Sequence, residues 1–359
     1  MVERIVITGA SGNVGTAVLR RLAEKSDRQL VGIVRRRPPE TGVYRFATWH
    51  ELDIAGDDAA PRLQALFDGA DAVVHLAWGF QPTRNITYLD AIGIGGTAAV
   101  LQAAHAARVG QLVHMSSIGT YAAGRYGERV REDWSTAGIP TSPYSRAKAA
   151  AEAQLDDYER QHPDDGIRIA RLRPGLIVAR ESASGIRRYT FPAYLRPSWL
   201  RILPLLPLDR SFVVPFVHTE DVADAVARVI ERRATGAFNL AAEPPVTRDD
   251  LAHAIGAKPI HVPSAVLRPL AKASWLARLQ PVDQGWLDMA FSVPLLDTTR
   301  ARTELGWAPQ WNSMQALADV GAGLVHDDGT ESPVLAPRSF VESIRRDITA
   351  GPITTRHVP

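Results

Sequence analysis

Tyr144 and Lys148 stand four residues apart in the run Tyr144-Ser145-Arg146-Ala147-Lys148. At the start of a helix, that spacing sets both side chains on one face. A free phenol titrates near ~10 and is a poor base at neutral pH. A neighbouring ammonium favours the phenolate, so the spacing predicts that Lys148 draws Tyr144 toward the range of a working acid/base. Lysine is scarce in this chain and arginine plentiful, which sets Lys148 apart from ordinary surface charge. The pair alone is a common accident. It gains meaning beside two other stretches, a strand that ends in Ser116-Ser117 and a glycine turn near residue 10.

That turn is Thr8-Gly9-Ala10-Ser11-Gly12-Asn13-Val14-Gly15, behind the apolar run Ile5-Val6-Ile7 and ahead of a helix-compatible stretch from Ala17 to Ala23. Strand, glycine turn and helix in that order form a dinucleotide fingerprint. Gly9 permits the tight turn, Gly12 lets the backbone approach a pyrophosphate, and Gly15 lets the helix lie close on the strand. With Ser11, Asn13 and Val14, they would hold the phosphates at the helix N-terminus. The next strand, Gln29 to Val34, ends in Arg35, Arg36 and Arg37, where such a fold faces the adenosine ribose. A guanidinium matches a 2′-phosphate, so NADP(H) is favoured over NAD(H); the alternative is a solvated basic loop. Asp53, followed by Ile54, is either an acceptor for the adenine amino group or a plain turn aspartate.

The elements that position these residues are legible as a pattern. Ala72 to Leu76 is a buried strand, and Ala77-Trp78-Gly79-Phe80 continues from it past the carboxyl edge of the sheet, where open α/β folds bind ligands. Leu76, Ala77 and Trp78 are counted among the cofactor contacts. Trp78 and Phe80 are candidates for a nicotinamide or substrate wall, or else loop anchors packed on the core. An alanine-rich helix runs from Tyr88 to Val109, and the strand Gln111 to Met115 delivers Ser116-Ser117 to the same edge. His75 and His114 sit inside strands without a partner at metal-ligand spacing, so both are expected to be structural and no metal is expected. A second long helix, Tyr144 to about Gln161, precedes a strand, Ile167 to Leu172, closed by Arg173-Pro174-Gly175.

The alternation predicts an α/β fold, a Rossmann-type doubly wound parallel sheet with a smaller C-terminal substrate-binding lobe. Residues 1–180 would form the dinucleotide domain, with 213–242 returning to it and Phe216-Val217-His218 as a strand of its sheet. Residues 181–212 and 243–330 would form the lobe, and 331–359 a peripheral tail. The stretch 189–215 is rich in proline and large apolar residues and suggests a lid, with Phe191, Tyr194 and Trp199 as candidate substrate contacts. The chain has 359 residues, no cysteine and a formal net charge of +2. Disulfides, thiolate zinc sites and a cysteine nucleophile are thereby excluded. Scattered arginines imply no nucleic acid. The chain enters a strand at once, leaving no room for a signal peptide, and no uninterrupted apolar stretch is long enough to span a bilayer. A cytoplasmic protein without a membrane partner is expected.

The sequence resembles the short-chain dehydrogenase/reductase superfamily, specifically its extended branch, the NAD-dependent epimerase/dehydratase family. The matching pieces are Thr8–Gly15, His75-Leu76-Ala77, Gly96-Thr97, Ser116–Tyr121, Tyr144–Lys148, Arg173-Pro174-Gly175, Phe216–Val222 and Leu305-Gly306-Trp307-Ala308-Pro309. The resemblance implies that Tyr144 is the acid/base and that Lys148 is its partner and a nicotinamide-ribose ligand. It makes Ser117, four residues before Tyr121, the serine that holds the reacting oxygen, and Ser116 structural. Pro174, Gly175 and Leu176 match the segment that lines the nicotinamide. Two departures stand out. The family commonly has Asn where this chain has Gly93, so an ordering contact near the cofactor is missing or supplied elsewhere. Ser117 is followed by Ile118-Gly119 rather than an Asp-Glu pair, which argues against sugar dehydration.

Three readings follow, in this order. The first is a redox enzyme that interconverts a carbonyl and an alcohol on a bulky, partly apolar small molecule. The second is a nucleotide-sugar epimerase with retained NAD, for which Arg187, Arg188, Arg196 and Arg201 could grip the diphosphate, though solvated surface is the commoner role of such arginines. The third is a dinucleotide-binding sensor without turnover. Small residues on the two long helices would permit close packing in a homodimer, or equally serve packing on the internal sheet.

Overall fold

The computed structural model describes residues 2–79, 85–190, 205–277, 279–280 and 282–337. β1 (Glu3–Thr8) runs into the glycine turn, and α1 (Asn13–Leu22) begins directly after Gly12. β2 (Arg28–Val34), β3 (Ala47–Glu51), α2 (Ala59–Phe67) and β4 (Ala72–His75) follow. α3 (Ile86–Asp90) continues through a π turn, Ala91–Gly95, into α4 (Gly96–Ala106). Next come β5 (Gln111–Met115), the short β6 (Arg129–Val130), α5 (Pro143–Gln161) and β7 (Arg168–Pro174). Ser142 caps α5 by accepting the Ser145 amide at 3.3 Å, and Pro143 opens the helix where its missing N–H costs nothing.

The second half interleaves two regions. β8 (Leu176–Val178), α6 (Ala183–Thr190), β9 (Leu205–Leu208), β10 (Val213–Val214) and β11 (Phe216–His218) lead to α7 (Thr219–Arg232) and β12 (Gly236–Leu240). β13 (Val246–Thr247), α8 (Arg248–Ile255), β14 (Lys258–His261), α9 (Ser264–Leu276), α10 (Gln284–Ala290), β15 (Leu295–Leu296), α11 (Thr299–Glu304) and α12 (Ser313–His326) complete the described chain.

Seven strands form a parallel sheet in the order β12-β7-β5-β4-β1-β2-β3. Both faces are covered, so alternate residues of one strand enter different cores. Ile5 and Ile7 join Val18, Leu22, Val226 and Phe238 on the side of α1 and α7. Val6 joins Leu63, Phe67, Val100 and Leu155 on the side of α2, α4 and α5. The strand order reverses between β1 and β4, and ligands of open α/β sheets bind at that crevice. Thr8 pairs across to His75, and His75 to His114. This register aligns the carboxyl ends of β1, β4 and β5.

Three expectations are corrected. Phe216–His218 does not return to the main sheet; it pairs with β8 in a separate two-stranded ribbon, and the edge position falls to Gly236–Leu240. Ile86–Ala106 forms a helix of 21 residues long and apolar enough to cross a membrane by length and composition, because the π turn absorbs Gly93 and Gly95 without ending it. Its Ile92, Val100, Leu101 and Ala104 are buried in the core beside α2. Finally, residues 331–337 are not peripheral. Ser332 and Leu335 are buried, and the Ser332 hydroxyl donates to the Ser11 carbonyl at 2.6 Å, which straps the C-terminal segment onto the glycine turn.

Candidate active site

The glycine turn is built by close approach. Gly9 has φ +72°, and a Cβ there would lie 2.8 Å from the Ala77 amide nitrogen, so only glycine fits. A Cβ on Gly15 would lie 2.4 Å from the Gly9 carbonyl oxygen. Gly12 differs, since a Cβ there would meet only that carbonyl at 3.3 Å, and its outward side is open. Gly12, Asn13 and Val14 are half-buried at the start of α1, while Ser11 is buried. The first amides of that helix carry no intrahelical partner, so the donor set suits the pyrophosphate of a dinucleotide. Thr219, first in α7, donates to the Asn13 side chain at 3.2 Å and so braces the turn.

At the neighbouring strand ends the structure gathers Ser117, Tyr144, Lys148 and Trp78. Ser117 caps a short turn by accepting the Gly119 amide at 3.0 Å, and its hydroxyl is close enough to the Tyr144 phenol to pull that phenol's pKa down. Burial pushes the phenol up to about 12, against the opposing pull of the Ser117 bond. Burial, rather than the expected charge of Lys148, dominates the phenol here. The Lys148 ammonium is turned instead to the Met115 carbonyl, at 2.8 Å, and to the face of Trp78, with Nζ 3.3 Å from the ring centroid. Burial holds that ammonium well below the usual lysine range, and Glu152 works the other way. Trp78 also stands edge-on to Tyr144, with centroids 6.4 Å apart.

Sequence reasoning missed two residues here. Trp286, placed by α10, stacks on the Tyr144 ring at 5.2 Å. Glu152, buried one turn beyond Lys148, binds Ser116 and forms an ion pair with Arg173, whose Nε donates at 2.8 Å. The spacing 144, 148, 152 along one helix face was the available signal for Glu152. Trp286 had none, because it comes from a distant segment. Ser116 thus serves the Glu152–Arg173 pair, in line with its expected structural part. His75 accepts or donates between Thr8 at 2.8 Å and Thr97 at 3.2 Å. Burial drives its pKa down to about 3, with the Lys148 charge adding to the effect.

At the adenosine end, Arg35 donates to the Tyr88 hydroxyl at 2.7 Å, and that hydroxyl donates to Asp53 at 3.3 Å. Tyr88 therefore links the two residues that the sequence set in separate roles. Arg36 is exposed, and the amide of Arg37 is tied to Glu51. Ile54 is buried with its side chain close under Gly96. Pro174, Gly175 and Leu176 lie at the carboxyl end of β7, with Gly175 pressed so near Pro215 that a Cβ would fall 2.3 Å from its carbonyl oxygen. Leu76 and Ala77 follow β4, and Ala77 donates its amide to the Thr8 hydroxyl at 3.3 Å. Arg187 is paired with Asp327 at 3.0 Å. Phe80, Phe191, Tyr194, Arg196, Trp199 and Arg201, and the side chain of Arg188, lie outside the described residues.

A parallel seven-stranded sheet with a glycine turn at its switch point defines a Rossmann-type nucleotide-binding protein. The chain belongs to the NAD dependent epimerase/dehydratase family, whose model matches residues 5–241. It is 31% identical over 209 residues to L-arabinose 1-dehydrogenase (NAD(P)(+)) of Haloferax volcanii, covering 55% of this chain and 77% of that protein. An uncharacterized protein of Mycobacterium tuberculosis is 28% identical over 321 residues, covering 88% of this chain; the chain spans 29% of that relative's length. Among solved structures, UDP-glucose 4-epimerase of Thermotoga maritima shares the fold with a TM-score of 0.68 at 19% identity, covering 90% of this chain and 99% of that one.

Proposed function

We propose that the protein is a nicotinamide-dependent oxidoreductase that interconverts a carbonyl and a secondary alcohol on a bulky, partly apolar small molecule. The observation that carries this reading is the set of Tyr144, buried Lys148 one turn on along α5, and buried Ser117 just past the end of β5, beside the glycine turn. When bound, the nicotinamide supplies or accepts the hydride. Tyr144 gives a proton to the reacting oxygen or removes it, and Ser117 holds that oxygen by hydrogen bonding. Lys148, one turn on and turned in this structure to the Met115 carbonyl and the Trp78 face, is the group whose positive charge would favour the phenolate during transfer. Gly12, Asn13 and Val14 would hold the pyrophosphate, Asp53 and Arg35 the adenosine end, and Pro174, Gly175 and Leu176 the nicotinamide side.

Trp78, Trp286 and Met289 surround Tyr144 and its neighbour Gly119 with apolar surface, which suits a substrate of low polarity. We favour NADP(H) because Arg35 and Arg36 follow β2 without an acid at that position. Nucleotide-sugar epimerisation would use the same Tyr144; Arg187, one of the arginines considered for its diphosphate, is paired with Asp327 here. The test is Tyr144→Phe, with turnover and dinucleotide affinity measured on the same preparation. Loss of about 10²–10⁴-fold in kcat is expected, the usual share of acid/base catalysis, with affinity retained. Undiminished turnover would refute the assignment.

A further inference from the structure

Lys148 carries its ammonium into a region that is closed to water, with 2% of the residue exposed. A buried ammonium has three N–H groups to satisfy and a large desolvation cost to offset. The Met115 carbonyl accepts one of them at 2.8 Å. The indole of Trp78 lies across another side, its centroid 3.3 Å from Nζ. A cation at that distance over a tryptophan face meets the negative side of the ring quadrupole, and the attraction is strongest out of water.

Trp78 can lie there because residue 93 has no side chain. A Cβ on Gly93 would sit 3.0 Å from two carbons of the indole, tighter than ordinary packing allows. Gly93 is itself fixed in the π turn, where its carbonyl accepts the Thr97 hydroxyl at 2.6 Å. The indole is also bounded by the rings of His114 and Tyr144, each edge-on with centroids 6.4 Å away. Four elements thus converge on one contact: the loop after β4 brings the indole, the π turn leaves the gap, β5 brings the carbonyl, and α5 brings the lysine.

We propose that Trp78 is a positioning residue for the reaction, its indole face holding the Lys148 ammonium one turn from Tyr144, and that Gly93 is the residue that makes room for it. The proposal rests on the part assigned to Lys148 above. It accounts for the departure at position 93: the ordering contact that an asparagine would bring there is replaced by an aromatic face from a different loop.

Two readouts on the purified protein test it, one of them independent of turnover. The first is the rate at which an amine-acylating reagent, acetic anhydride, modifies Lys148, followed by peptide mass spectrometry. The second is kcat with the dinucleotide saturating. Trp78→Leu is expected to speed Lys148 acylation and lower kcat, each by about tenfold or more, the scale of a desolvated cation–π contact. Trp78→Phe keeps a ring face and should stay within about threefold of wild type in both. Gly93→Ala adds a methyl against the indole while leaving Trp78 and Lys148 in place, and should act in the same direction as Trp78→Leu. Wild-type acylation and kcat in both Trp78→Leu and Gly93→Ala would overturn the proposal, as would a Trp78→Phe loss equal to that of Trp78→Leu. Should Trp78→Leu fail to fold, Gly93→Ala and Trp78→Phe decide the matter. Should no substrate turn over, the acylation rates decide it alone, so failure of the reaction assignment and failure of this proposal are distinguishable.

Discussion

Tyr144 sits in surroundings that oppose ionisation, and this decides how it must work. Its phenol is pushed up to about 12 by burial, and the bond to Ser117 offsets only part of that effect. At neutral pH the phenol is therefore protonated, the form that the proposed reduction of a carbonyl would use. The reverse direction would need the phenolate, so the downward pull of Ser117 on the phenol matters most there. His75 offers a cleaner titration. Its pKa falls from an ordinary value of 6.5 to about 3 because it is buried. Between those limits the unfolded chain takes up a proton that the folded chain refuses, so stability falls as pH falls through that window. The slope is about 1.4 kcal/mol per pH unit for one such group. His114, also held well below its ordinary value by burial, acts in the same sense. Denaturant unfolding at pH 7, 6, 5 and 4 should show a flatter acid limb in His75→Gln than in wild type. Equal slopes would show that His75 titrates normally in the fold.

At the scale of elements, α5 is the organising piece, since Tyr144, Lys148 and Glu152 recur every fourth residue along it. The first two serve the candidate site and the third anchors the helix to β7 through Arg173. Glu152 and Arg173 are both buried, so removing one partner strands a charge away from water. Glu152→Ala should cost about 3–5 kcal/mol in chemical unfolding. A loss under about 1 kcal/mol, the range of exposed pairs, would mean that the pair is solvated in solution. The helix from Tyr144 to about Gln161 and most of the sheet strands were legible in the sequence because each is written in a local code of periods; the Ser142-Pro143 cap one residue earlier was not read. Glu152 was not singled out because a lone acid within a helix has many uses. Trp286 and Tyr88 were not legible at all, since only folding brings their segments to Tyr144 and Arg35.

At the scale of the whole molecule, what escaped the sequence is long-range closure. Leu305–Pro309 matched a family motif without an evident task; in the fold, Trp307 donates to the Asp221 carbonyl at 2.8 Å and locks the segment against α7. The C-terminal segment had no pattern to mark it, yet Ser332 holds the Ser11 carbonyl and Tyr44 binds Thr330 at 2.7 Å. The glycine turn is therefore supported on one side by the sheet and on the other by residues more than three hundred positions away. Polar turns and short straps look alike in sequence, and only the contact separates a tail from a brace.

The central claim, that this turn and its neighbours hold an exchangeable nicotinamide cofactor, is tested most directly by titrating purified protein with NADPH and NADH after assaying it for nucleotide carried through purification. The account predicts saturable binding of both, NADPH the tighter, with Arg35→Ala reducing that preference by about tenfold, the worth of one charge-assisted contact. Failure of either nucleotide to bind would contradict it from the glycine turn onward, and stoichiometric NAD retained through purification would contradict exchange and turn attention to epimerisation.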